Sequence, residues 1–191
     1  VKGNGFGHGY IEPSRAFVEA GADYLAVTRL DEALVMRNEG IDAPILVFAP
    51  ILPQNAEAAL AADLDLTVTS LPLVEAISRA AQRLGKTAPV WVKIDTGMCR
   101  FGLLRQDAMT FIERANSLRG IKIAGIYTHF ATAIEAALAP SREQLNVFLD
   151  LLRMLQAAGI DYGMASAANS AAILRLPDSH LDIVRPGTLL Y

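Results

Sequence analysis

Val90-Trp-Val-Lys-Ile-Asp95 is an apolar run that ends in charge, and Ile123-Ala-Gly-Ile-Tyr-Thr-His129 is a second run of the same kind. Between them, Gln106 to Leu118 carries helical periodicity. Neither run alternates polar with apolar residues, so neither has a solvent face. A strand covered on both faces belongs to a parallel sheet with helices packed outside it. The intervening helix supplies the crossover that two parallel strands require. This β-α-β unit predicts an α/β fold.

The same alternation extends in both directions. Upstream lie strands at Tyr24–Thr28, Pro44–Ala49 and Leu66–Thr69, with helices at Glu32–Asn38, Gln54–Ala62 and Pro72–Leu84. Gly40 and Gly85 follow two of these helices as C-terminal stops. Downstream come a helix at Arg142–Ala158 closed by Gly159, a strand at Tyr162–Ala167, a short helix at Ser170–Leu176 and a strand at Ile183–Arg185. If Val1-Lys2 is the stub of a first strand, the strands number eight, at the spacing of a (β/α)8 TIM barrel. A doubly wound sheet would need a Gly-rich turn opening a helix after its first strand. Gly3, Gly5, Gly7 and Gly9 do not stand in that register. The 191 residues fall short of the roughly 250 of a complete barrel. The expectation is a single barrel domain over residues 1–191, truncated at both ends.

Composition narrows the function. The chain is 52% hydrophobic and 19% charged with a net charge of −3, which is ordinary for a globular protein and gives nucleic acid no basic surface. No apolar run reaches the roughly 20 residues of a membrane span, and no secretory signal is visible. Cys99 is the single cysteine, which excludes an intrachain disulfide and fits a reducing compartment such as the cytoplasm. No metal is expected.

Barrel chemistry sits at the C-terminal ends of strands, and five clusters fall there. Lys2-Gly-Asn-Gly-Phe-Gly-His-Gly9 places a lysine at a strand end, where burial would favour the neutral, imine-forming amine. Lys93-Ile-Asp-Thr-Gly-Met-Cys-Arg-Phe-Gly102 carries Lys93, Asp95 and Arg100. Thr128-His-Phe130 offers His129. Ala168-Asn-Ser-Ala171 meets a helix, where Asn169 or Ser170 is a candidate N-cap. Val184-Arg-Pro-Gly-Thr188 ends the series. Ser170 after strand seven and Gly187-Thr188 after strand eight stand where barrels bind phosphate. A lysine together with a phosphate cradle suggests pyridoxal 5′-phosphate, PLP.

In order and spacing these five motifs, across essentially the whole chain, resemble the alanine racemases. The resemblance implies the following. Lys2 holds PLP as an imine and is the base on the D-side α-proton. Arg185 faces the pyridine nitrogen, and His129 hydrogen-bonds toward Arg185. Arg100 contacts the PLP phenolic oxygen and the substrate carboxylate. Phe6, Asn169, Ser170, Gly187 and Thr188 lie around the cofactor. Lys93 matches a lysine that is often carbamylated. The substrate is alanine or another small amino acid, and the full-length protein is a homodimer that supplies D-alanine for peptidoglycan. The base on the L-side proton is a tyrosine from a C-terminal β domain of the partner subunit, a domain absent from these residues. The family commonly has tyrosine at Phe6, histidine at Ser166 and aspartate at Ile134. Two rivals share the opening lysine: a basic amino-acid decarboxylase, which places a carboxylate at the pyridine nitrogen, and a single-domain PLP-homeostasis protein.

Overall fold

The computed structural model describes residues 1–191. Six strands form one sheet in the order β1-β2-β3-β4-β5-β6: Leu25–Val27, Ile45–Val47, Asp65–Val68, Ala88–Lys93, Ile121–Tyr127 and Met164–Ser166. Spatial order equals chain order, with none of the reversal that defines a doubly wound sheet. The pairs β1–β2, β2–β3 and β5–β6 are parallel, with Ala26 opposite Leu46, Val47 opposite Leu66 and Ile126 opposite Ala165. Each connection therefore carries a helix: α3 (Leu30–Asn38), α4 (Ala56–Ala61), α5 (Leu71–Leu84), α6 (Arg105–Asn116) and α7 (Ala139–Ala157). No helix is long and apolar enough to cross a membrane.

Two compact units divide the chain, and β4 begins in the first and ends in the second. The first comprises Val1–Val68, Pro72–Val90 and Leu118–Lys122. Its core is aliphatic, with Val27, Ile45, Val47, Leu66 and Ile77 fully buried. The second comprises Thr69–Leu71, Trp91–Ser117 and Ile123–Tyr191. Its core adds aromatics: Phe130 and Phe148 are buried, and Trp91 meets Tyr127 edge-on at 6.4 Å between centroids. Gly125 makes that contact possible, because a Cβ there would lie 2.3 Å from the Trp91 ring.

The alternation is as expected, but the eight-strand count is not. Lys2 is not a strand residue. It opens α1 (Lys2–Phe6), a turn whose interior residues are left-handed. Val1 still lies beside β1, its nitrogen donating to the Ala26 carbonyl at 2.9 Å. Ile183–Arg185 is not a strand either, since only Arg185 pairs, in a single parallel bridge to Asn169. Pro186 removes the next amide and ends any ladder. A helix not anticipated from the sequence, α2, spans Ile11–Glu19. Pro13 sits in its first turn, where a missing N–H breaks no helical bond.

Candidate active site

In the first unit, α1 sets the position of Lys2. Gly3, Asn4, Gly5 and Phe6 have φ of 62°, 55°, 59° and 53°. Glycine adopts this region freely, whereas a residue with a Cβ loses roughly 1–2 kcal/mol there. Alternating glycines thus halve the strain of the turn, and Asn4 and Phe6 bear what remains. Lys2 is exposed, contrary to the burial expected of it, and its Nζ lies 4.9 Å from the centroid of the Phe6 ring. One buried carboxylate serves this turn. Glu32 accepts the Gly3 amide at 2.8 Å and the Tyr10 hydroxyl at 3.3 Å on Oε1, and the Thr28 and Arg29 amides at 2.7 and 2.9 Å on Oε2. Burial pushes its carboxyl upward, but the amides of Arg29, Gly3 and Thr28 outweigh burial and leave it below the ordinary range.

In the second unit, Arg185 is held by neutral oxygens. Its Nη2 donates to the Thr128 carbonyl at 2.6 Å and the Ala167 carbonyl at 3.2 Å, and its Nη1 donates to the Ser166 hydroxyl. The guanidinium packs 5.3 Å from the Tyr127 ring centroid. Burial lowers its pKa to about 10, with Tyr127 opposing, so the group stays cationic at neutral pH. No carboxylate neutralises it. Such a cation offers an acceptor a hydrogen bond without surrendering its proton. The His129 carbonyl accepts from Gln144 at 3.2 Å, and Ser166 donates onward to the Ile183 carbonyl at 2.7 Å.

Lys93, at the end of β4, is only 1% exposed. Its Nζ donates to the Ile94 carbonyl at 2.6 Å and lies 5.6 and 5.9 Å from the Tyr127 and Phe101 centroids. Burial, then the positive charges of Arg185 and Arg100, lower its pKa to about 8 against an opposing Asp95. A substantial fraction of the amine is therefore neutral and nucleophilic near pH 8. Asp95 does not pair with Arg100. Its Oδ1 gathers the Gly97 and Cys99 amides at 2.9 and 3.1 Å, which folds the loop. Exposed Arg100 packs on the Phe101 ring at 5.3 Å.

The third element is a hydroxyl that joins two segments. Asn169 is the N-cap of α8 (Ser170–Arg175), accepting the Ala172 amide at 3.1 Å. Ser170 Oγ accepts the Gly187 amide at 2.8 Å and the Leu189 amide at 3.3 Å, with exposed Thr188 between them. Hydroxyls and backbone amides thus converge where a phosphate was expected. Within the second unit these groups have the chemistry that PLP needs: a cation without a carboxylate partner for a ring nitrogen, and neutral donors for a phosphate. Ser166, Thr128 and Glu32 were missed as site-building residues. A glutamate three positions after the N-cap Arg29, placed to accept the N-cap amide, was the one available signal, and it pointed to Glu32 alone.

Residues 1–191 match the family described as "Alanine racemase, N-terminal domain". The chain is 41% identical over 192 residues to the alanine racemase of Methanococcus maripaludis, covering 100% of this chain and 52% of that one. It is 42% identical over 192 residues to the alanine racemase of Desulforamulus reducens, with the same coverages of 100% and 52%. The chain spans about half the length of the curated relatives it matches. Its structure is similar to alanine racemase of Clostridium difficile 630 in complex with cycloserine: TM-score 0.97, 35% identity, 100% of this chain and 53% of that one. It is also similar to alanine racemase of Bacillus anthracis with bound L-Ala-P: TM-score 0.89, 38% identity, 100% and 50% coverage.

Proposed function

The chain belongs to the alanine racemase N-terminal domain family, and from that premise we propose that it is the cofactor-bearing part of a PLP-dependent enzyme interconverting L- and D-alanine. The observation that carries this reading is Arg185, a half-buried cation bound only to neutral oxygens. A decarboxylase of similar fold would present a carboxylate there. The curated relatives, about twice as long as this chain and named alanine racemase, argue against the single-domain alternative.

When bound, PLP supplies an electron sink that acidifies the substrate α-carbon. The residues divide the remaining work. Lys2 carries the cofactor and removes and returns a proton at the α-carbon on the D side. Arg185 would face the ring nitrogen and, because it keeps its own proton, would leave that nitrogen unprotonated. That limits the sink and disfavours side reactions such as transamination. Ser170, Gly187 and Thr188 hold the phosphate, with Asn169 fixing the helix behind Ser170. Phe6 lies against Lys2 and lacks the hydroxyl that the family commonly offers the phosphate. Arg100 holds the substrate carboxylate, and His129 lies beside the cofactor. Neutral Lys93 would add CO2 through its nitrogen and release one N–H proton to solvent, becoming an anionic carbamate that partners Arg100. The L-side proton is handled by a tyrosine of the partner subunit in a cytoplasmic homodimer, and the product D-alanine supplies peptidoglycan.

Borohydride reduction of the PLP-loaded full-length protein, followed by peptide mapping, tests the assignment. The label is expected on Lys2. A label on Lys93 would overturn it.

A further inference from the structure

We infer that Glu32 is a positioning residue for Lys2, acting through the peptide bond between Lys2 and Gly3. This rests on the reading that Lys2 carries the cofactor. Glu32 is 6% exposed and receives four donors, two on each carboxylate oxygen. The Oε2 pair, Thr28 and Arg29, is local and caps the start of α3. That cap needs only one oxygen. Oε1 serves something else: the Tyr10 hydroxyl and, more closely, the amide of Gly3, twenty-nine positions away and next to Lys2.

That amide lies in the Lys2–Gly3 peptide plane, so its bond to Glu32 fixes how the plane is turned. The rest of α1 is closed by its own carbonyls, as in Gly5 to Val1 at 3.0 Å and Gly7 to Asn4 at 2.9 Å. The Gly3 amide has no carbonyl partner in the turn. Gly3, at φ 62°, has no Cβ to resist rotation of that plane. Without the carboxylate the plane is free to flip, and the direction of the Lys2 side chain changes with it. The exposed Lys2 head is thus aimed from its backbone.

Glu32→Gln separates the two functions of the carboxylate. Its single oxygen can keep the Thr28 and Arg29 amides, while its NH2 group then faces the Gly3 N–H donor against donor. In the PLP-loaded full-length protein, release of the cofactor to a carbonyl trap such as hydroxylamine is expected to be at least about tenfold faster than in the wild type, the scale of one hydrogen bond to a charged group. In the apo-protein, amide exchange is expected to accelerate within residues 1–10 and to stay unchanged in α3. Release within twofold of the wild type from a folded variant would overturn the proposal, whatever happens to the melting temperature. If Glu32→Gln does not fold, Glu32→Asp replaces it. It keeps the charge and the local cap but is too short to reach Gly3, and the same two outcomes decide. Borohydride labelling of the wild type at a lysine other than Lys2 would instead bring down the underlying reading. A label at Lys2 with unchanged release brings down only the Glu32 tether.

Discussion

The Lys2 turn and the Arg185 cluster each present a cation, and they do so by opposite means. Around Lys2 the backbone is constrained and the head is exposed: four residues are left-handed, one peptide plane is tied to Glu32, and Nζ lies 4.9 Å from the Phe6 ring centroid. Around Arg185 the guanidinium itself is bound, to Thr128, Ala167 and Ser166, over a Tyr127 ring. A base that shuttles a proton needs a free head on a fixed base. A cation that only polarises a neighbour needs the reverse. The contrast suggests that damage at the first region should show in cofactor attachment, and at the second in the course of the reaction.

The sharpest break comes from Lys2→Ala in the full-length protein. It should abolish both the absorbance of lysine-bound PLP and racemisation, because buried Lys93 is engaged with the Ile94 carbonyl. Residual lysine-bound absorbance would show that the free-headed cation is not the attachment point. Next in size is Arg185→Glu. An anion among the Thr128 and Ala167 carbonyls should destabilise the fold by roughly 3 kcal/mol or more. It should also let the ring nitrogen protonate, giving slower racemisation with more transamination in a product assay. An unchanged rate and product ratio would reduce Arg185 to a structural clamp.

Phe6→Tyr is a gain-of-function probe of the first region. A hydroxyl reaching the phosphate should tighten PLP about tenfold or more, given roughly 1.5–3 kcal/mol for a hydrogen bond to a charged group. Weaker binding on PLP titration would mean that Phe6 serves Lys2 and not the phosphate. The smallest effect on racemisation is expected from Lys93. Its folded pKa of about 8 lies below the ordinary 10.5, so folding favours the neutral amine. Below pH 8 the fold bears the full cost of a buried charge. That cost is relieved as pH rises from about 8 toward 10.5, and stability from this group rises with it. Labelled CO2 at fixed dissolved concentration should add to Lys93 with a midpoint near pH 8, seen by carbon NMR. Uptake that does not vary with pH would show that the neutral amine is not the reacting species.

What could be read from the sequence differs between the two regions for the same physical reason. The places of Arg185, Ser170, Gly187 and Lys93 in the fold were legible because each sits beside a strand or cap whose pattern is local. The turn at Lys2 was misread as a strand stub. Its Gly3 amide is held by a carboxylate twenty-nine positions away, and no local pattern encodes that partner. Ser166 was noted only as a departure from the family. Its place under Arg185 arises from the chain returning after β6, which spacing alone does not reveal. Ile183–Arg185 has the composition of a strand, but Pro186 denies it a ladder.

Gly125 has one more consequence. By letting Trp91 lie across β5, it sets the single tryptophan of these 191 residues edge-on to Tyr127, the ring on which Lys93 and Arg185 both lean. The indole is 2% exposed, so bulk solvent contributes little to its emission. Its colour and intensity instead follow the local field, which changes when Lys93 loses its proton or when a ligand settles beside Arg185. The chain carries a built-in optical gauge of its own charge cluster, readable in solution without any label.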